Sequence, residues 1–247
     1  APRVSLRGTA SGGWTFRAGY TTLFSGKDRM ISFAAFGELM LRLSPPGRER
    51  LFQSPRLETC FGGGESNVAV SLARLGHAAR FISVLPAGPL GDAAVGELVR
   101  RGVETSSIVR TPGRLGLYFA EAGAGPRPSV VLYDRESSAI ALAAPGAIDW
   151  DRALEGAGWF HTSGITPALS RSAAELTREG LAAARSKGLK ISIDLNHRAK
   201  LWRYGASAPE VMRSLFAEAD IGFANEEDCR AALGIGGGVI GPDGSAD

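Results

Sequence analysis

The sequence predicts an α/β fold in which a mostly parallel sheet carries helices on both faces and a small second sheet is added to it. Three observations lead there. Short runs rich in β-branched and aromatic residues alternate with stretches of helical spacing, the βαβ rhythm of a parallel sheet. Two segments, 39–61 and 115–139, break that rhythm with paired strand-like runs around Pro/Gly turns. The chain of 247 residues, 44% hydrophobic, is long enough to bury a sizeable core.

The elements follow in order. "ISFAAFG" (31–37) is a strand, and 39–61 is the first hairpin-like pair. In "GGGESNVAVSLARLG" (62–76), Val68, Leu72 and Leu75 recur at i, i+4 and i+7 and so share one helix face, which Gly76 closes as a left-handed C-terminal residue. "ARFISVL" (79–85) is a strand, followed by a helix that closes at Gly102 and by the second hairpin-like pair, 115–139. "GWFHTSG" (158–164) is the next strand. Ser172 with Glu175 has capping-box spacing at the head of a helix closing at Gly188. "LKISIDLN" (189–196) is a strand, Ser207 with Glu210 repeats the capping box, and "IGFAN" (221–225) is the last strand. The closing "GIGGGVIGPDGSAD" (234–247) reads as a loop.

The formal charge of +3 and the pI near 9.1 invite a nucleic-acid partner, but their distribution excludes it. Arg3, Arg7, Arg17, Lys27 and Arg29 face only Asp28 in residues 1–29, and without that segment the balance turns slightly acidic. The basicity therefore sits in a Gly/Ser/Thr-rich tail and not on a folded face. The tail has no continuous apolar stretch, which argues against a secretory signal, and Met30 stands immediately before the first strand-like run. Residues 1–29 are thus expected to be a non-native or disordered tail, and 30–247 a single domain. No run of about 18 apolar residues predicts a membrane span. Cys60 and Cys229 lie far apart with no CxxC, so neither a zinc site nor a disulfide framework is indicated. The expected location is cytoplasmic.

The chemistry is concentrated around "FGGGESN" (61–67). Glycine lets a ligand approach the backbone closely, and the free N–H groups of a first helical turn attract anions or hydroxyl oxygens. Asn67 can both donate and accept. The alternative is a tight strand-to-helix turn with no ligand.

The stretch "GGGESNVAVSLARLG", followed by "VLPAGPLGDAAVGELVRRGV", resembles the first signature region of the PfkB-type (ribokinase-like) carbohydrate kinases. "GELMLRLSPP", "GLYF", "LYDRESSA", "HTSGITPALS", "IDLNHRAKLW" and "ANEED" follow in the family's order, from Met30 to about Gly234. The nearest look is to members acting on 2-keto-3-deoxygluconate. The resemblance implies a ribokinase-like three-layer αβα fold with a β-sheet lid, 39–61 and 115–139 supplying the lid. It implies ATP and Mg2+ as cofactors and transfer of the ATP γ-phosphate to a sugar-acid hydroxyl, giving the 6-phosphate of 2-keto-3-deoxygluconate. Fructose is the alternative substrate.

Carried onto this sequence, the resemblance implies that Gly63 and Asn67 hold substrate hydroxyls and that Tyr118 closes over the sugar. Tyr133 and Arg135 of "YDR" would contact the substrate, with Asp134 where another aromatic is expected. Arg198 would meet the substrate carboxylate, since a guanidinium offers it two parallel hydrogen bonds. Asn196 and Asn225 would face the nucleotide phosphates, and Glu227 and Asp228 the magnesium through water. The family motif around Asn225 has Glu where Asp228 stands; its alternative is a helix N-terminus rich in acids. His77, His161 and His197 show no ligand spacing and read as packing or surface residues. The second family signature, D-T-x-G-A-G-D, with its general-base aspartate, does not occur in these 247 residues, so the expectation is an incomplete kinase domain with no catalytic base of its own, or a sugar-binding remnant. The resemblance also implies lid strands that pair between subunits, which the exposed edges of 39–61 and 115–139 would suit, so a homodimer through the lid is an expectation.

Overall fold

The computed structural model describes residues 32–235 and, ahead of them, the backbone of an antiparallel hairpin between β1 (Ser5–Gly8) and β2 (Trp14–Arg17). What was expected of the rest of 1–29 and of the Gly-rich stretch after Ile235 lies outside the described residues. The strands that follow are β3 (Ser32–Phe36), β4 (Met40–Ser44), β5 (Glu58–Gly62), β6 (Ala78–Pro86), β7 (Ile108–Thr111), β8 (Gly116–Glu121), β9 (Val130–Asp134), β10 (Trp159–Ser163), β11 (Lys190–Asp194) and β12 (Ile221–Phe223). The helices are α1 (Gly64–Arg74), α2 (Pro89–Arg100), α3 (Ala139–Leu142), α4 (Trp150–Ala153), α5 (Ile165–Leu169), α6 (Arg171–Ser186), α7 (Ala208–Phe216) and α8 (Glu226–Leu233).

Six strands form one parallel sheet in the order β12-β11-β10-β3-β6-β7. Successive strand side chains point to opposite faces, and both faces here are apolar. Ala34 and Phe36 of β3, with Ile82 and Val84 of β6, turn to a core completed by α6 and α7 through Leu176, Leu181, Met212 and Leu215. Ala35 of β3 and Phe81 and Leu85 of β6 turn to the other core, against Ala69 of α1 and Ala94 and Leu98 of α2. This is the three-layer arrangement expected. The short edge strand β7 was not foreseen.

A second sheet of four strands, β5-β4-β8-β9, is built from the two segments that break the βαβ rhythm. Each contributes an antiparallel pair, and β4 joins β8 in parallel. Gly76, Gly102 and Gly188 adopt the left-handed φ values of 86°, 83° and 70° that end their helices. The capping box at Ser207 is present, its N–H donating to Glu210 Oε2 at 2.6 Å. The one expected at Ser172 is not: Ser170 caps α6, accepting from the Ala173 N–H at 3.0 Å, while Ser172 donates to the Ala141 carbonyl and Glu175 pairs with Arg178. Among the described residues no helix is long and apolar enough to cross a membrane.

Candidate active site

Past the carboxyl end of β3, Glu38 meets Arg135 at the end of β9, at the end of β10 Ser163 meets Glu65 of α1, and the turn Gly62–Gly64 leads from β5 straight into α1. Residues just past the carboxyl ends of parallel strands line the ligand crevice of open α/β sheets. Gly63 has φ −169°, extended backbone that any residue can adopt, so its glycine answers to space and not to conformation. A Cβ there would stand 2.0 Å from the Glu38 carbonyl oxygen. Bare backbone lets the turn pack directly on the end of β3. Gly63→Ala is therefore expected to cost about 1–3 kcal/mol of stability as the turn lifts off, measured by urea unfolding. An unchanged midpoint would remove this role.

Around the turn the predicted side chains converge. A Cβ on Gly62 would lie 3.4 Å from the Tyr118 hydroxyl and 3.9 Å from Asn67 Oδ1, and one on Gly64 would lie 3.7 Å from Asn196 Nδ2. Tyr118 is directly opposite Tyr133 across β8 and β9, their rings 5.7 Å apart, and the Arg135 guanidinium sits 5.4 Å from the Tyr133 ring centre. Burial pushes the Tyr118 phenol up, Cys60 adds to the rise, and Arg42 pulls it back.

Beneath this aromatic pair lies a buried charged cluster, of which sequence reasoning named Arg135 and missed both acids. Arg135, 7% exposed, forms an ion pair with Glu38, 2% exposed, and Ser138 donates to Glu38 Oε1 at 2.8 Å. The Arg135 Nε is buried without a partner among the described residues. Glu65, in the first turn of α1, is also fully buried, accepts from Ser163 at the end of β10, and packs where Gly37 leaves no side chain. Desolvation pushes its carboxyl up to about 7; the Ser163 bond and the Arg135 charge oppose this, and the Glu38 charge adds to it. The only sequence trace of both acids is a lone carboxylate inside an otherwise apolar or glycine context.

At the far side, Asn196 follows β11 with a left-handed φ of 36° and donates its N–H to Asp194 Oδ1. Arg198 is exposed and turned back on its own chain, its Nη1 donating to the His197 carbonyl at 2.8 Å. Asn225 caps α8, accepting from the Asp228 N–H at 2.7 Å, and Asp228 accepts in return from the Asn225 N–H and from the His197 N–H. The acid-rich helix N-terminus accounts for both side chains as placed. Glu227 is exposed, and no group of three His, Cys, Asp or Glu side chains among the described residues could hold a metal ion. Asp134, in the place of an aromatic, is paired with Arg114 at 2.7 Å, which holds its carboxyl below the usual range. His161 is buried against Ser192 and His77 lies edge-on to Phe33.

The sequence profile of the pfkB family carbohydrate kinases matches residues 30–240. The chain belongs to that family. It is 44% identical to a 2-dehydro-3-deoxygalactonokinase of Haloferax volcanii over 82% of this chain and 63% of that protein. It is 30% identical to a 2-dehydro-3-deoxygluconokinase of Bacillus subtilis over 77% of this chain and 59% of that one. The crystal structure of a 2-dehydro-3-deoxygluconokinase from Thermotoga maritima superposes with a TM-score of 0.81 at 44% identity, covering 87% of this chain and 66% of that one. The chain thus spans a little under two thirds of the length of the relatives it matches.

Proposed function

We propose that this pfkB-family chain forms the sugar-binding part of a kinase that transfers the ATP γ-phosphoryl group to a hydroxyl of a 2-keto-3-deoxy sugar acid, 2-keto-3-deoxygluconate giving its 6-phosphate. The observation that carries the reading is the convergence of Tyr118 and Asn67 over the Gly62–Gly64 turn. Tyr133 and Arg135 line the same wall, and the unpartnered Arg135 Nε is a donor suited to a substrate oxygen. Arg198 would meet the carboxylate after leaving the His197 carbonyl, and Gly63 and Asn67 would receive hydroxyls. The sugar-acid kinases among the relatives, more similar to this chain than the fructokinases at 27% identity, support an acid over a neutral hexose.

Asn196 and Asn225, which follow β11 and β12, are assigned to the nucleotide phosphates. ATP when bound supplies the transferable phosphoryl group. The described residues do not fit a protein-built magnesium site, because the Asp228 oxygens already accept backbone N–H groups, so Glu227 and Asp228 are given no step. The reading includes a cytoplasmic enzyme and a second copy meeting the lid edge, where Val131, Leu132 and Tyr133 of β9 are 47%, 54% and 54% exposed. The test is kcat/KM of the full-length enzyme for 2-keto-3-deoxygluconate, 2-keto-3-deoxygalactonate and fructose. At least a hundredfold preference for an acid is expected. Equal or better use of fructose would overturn the sugar-acid reading.

A further inference from the structure

We infer that Arg42 is a specificity-determining residue of the lid, a cation that meets the carboxylate of the sugar acid beside the Gly62–Gly64 turn. The inference rests on the sugar-acid reading above and adds a residue to it.

Strand register carries the argument. Arg42 of β4 is directly opposite Cys60 of β5 and Tyr118 of β8, and Tyr118 is opposite Tyr133 of β9. These four residues form one row across the sheet. Two residues along each strand, on the same face, lie Gly62, Met40 and Gly116. That face looks into the cleft: the Tyr118 hydroxyl reaches Gly62 beside Asn67, and a Cβ on Gly116 would stand 2.9 Å from Glu38 Oε1. Arg42 is therefore in the middle of the cleft-facing row, next to the tyrosine that covers the turn.

Charge distinguishes it from the other two arginines near the site. Arg135 is committed to Glu38, and Arg198 is bonded to the His197 carbonyl. Arg42 donates its Nε to a neutral group, Ser44 Oγ, at 3.0 Å, and forms no ion pair among the described residues. Glu58, opposite Ser44, shares its face but lies beyond ion-pair distance. An exposed guanidinium keeps its hydration while the cleft is open to water. Its planar fork then matches a carboxylate with two hydrogen bonds, in a cleft where tyrosine rings lower the local dielectric. A neutral sugar returns neither the charge nor the fork.

The experiment is calorimetric titration of the protein with 2-keto-3-deoxygluconate and with its methyl ester, in which a neutral ester replaces the charged carboxylate. Wild type, Arg42→Gln and Arg42→Lys are compared. The expected result is a preference for the acid in the wild type that shrinks at least about tenfold in Arg42→Gln and is partly restored in Arg42→Lys. If the wild type prefers the acid and Arg42→Gln keeps the same ratio, or weakens both ligands equally, the role of Arg42 falls while the sugar-acid reading stands. If the wild type binds acid and ester alike, the sugar-acid reading falls and takes this inference with it.

Discussion

Glu38→Gln is expected to lower the unfolding free energy by about 3–5 kcal/mol, because it leaves the Arg135 guanidinium buried without its counter-charge. Glu38 follows β3 of the main sheet and Arg135 follows β9 of the lid, so the pair ties the two sheets together at the floor of the cleft. Exposed pairs such as Arg114–Asp134 contribute little, since water competes for both partners. Here water is excluded, and Glu38 is also held by Ser138. Arg135→Met should cost a similar amount through the stranded Glu38 carboxylate. The double variant should cost clearly less than the two single losses added, because no buried charge is left behind. Urea midpoints of the four proteins decide the matter. Single losses below about 1 kcal/mol, or strict additivity, would mean that the cluster is hydrated and the pair incidental.

That pair also marks where the sequence stopped being legible. The parallel sheet, both lid segments and the helix-ending glycines are local signals, readable from period, turn residues and the demand for positive φ. The convergence of Asn67, Tyr118 and Asn196 on the glycine turn follows from motif order once the strands are aligned. Ion pairing is different. The partner of Arg135 lies 97 positions away and comes into reach only because β4 and β8 pair in parallel. Arg135 was read as a substrate contact from its motif, and its ion pair with Glu38 had no sequence signal. The capping box at Ser172 failed for a related reason: Ser170 lies two residues earlier with its own hydroxyl free to accept the Ala173 N–H, and α3 brings the Ala141 carbonyl to Ser172. β7 is four residues at a sheet edge, too short for period to show. The close approach of Gly63 to the Glu38 backbone is likewise a contact no local pattern contains.

The stability of the protein is expected to depend on pH through two buried groups that oppose each other, Glu65 and His161. Burial raises the Glu65 carboxyl from 4.5 to about 7, so the folded state holds a proton that the unfolded chain releases. Its contribution is fully present below pH 4.5 and is lost as pH rises toward and through 7, by about 3 kcal/mol in all. Burial lowers the His161 imidazole from 6.5 to about 4, so the unfolded chain takes up a proton that the folded state refuses. Its contribution is present above pH 6.5 and is lost as pH falls toward 4, again by about 3 kcal/mol. Between about 4.5 and 6.5 the two slopes cancel, and the wild-type profile should be nearly flat over that window. Glu65→Gln keeps an oxygen for the Ser163 hydroxyl but cannot ionise, so its stability should climb relative to wild type as pH rises through 4.5–7. His161→Asn should show the mirror image, gaining relative to wild type as pH falls from 6.5 toward 4. Urea unfolding at five or six pH values gives both difference curves, in which every other titrating group drops out. A flat difference curve for Glu65→Gln would show that the carboxyl reaches water in the folded protein. It would also loosen the link between α1 and the end of β10, on which the position of the glycine turn depends.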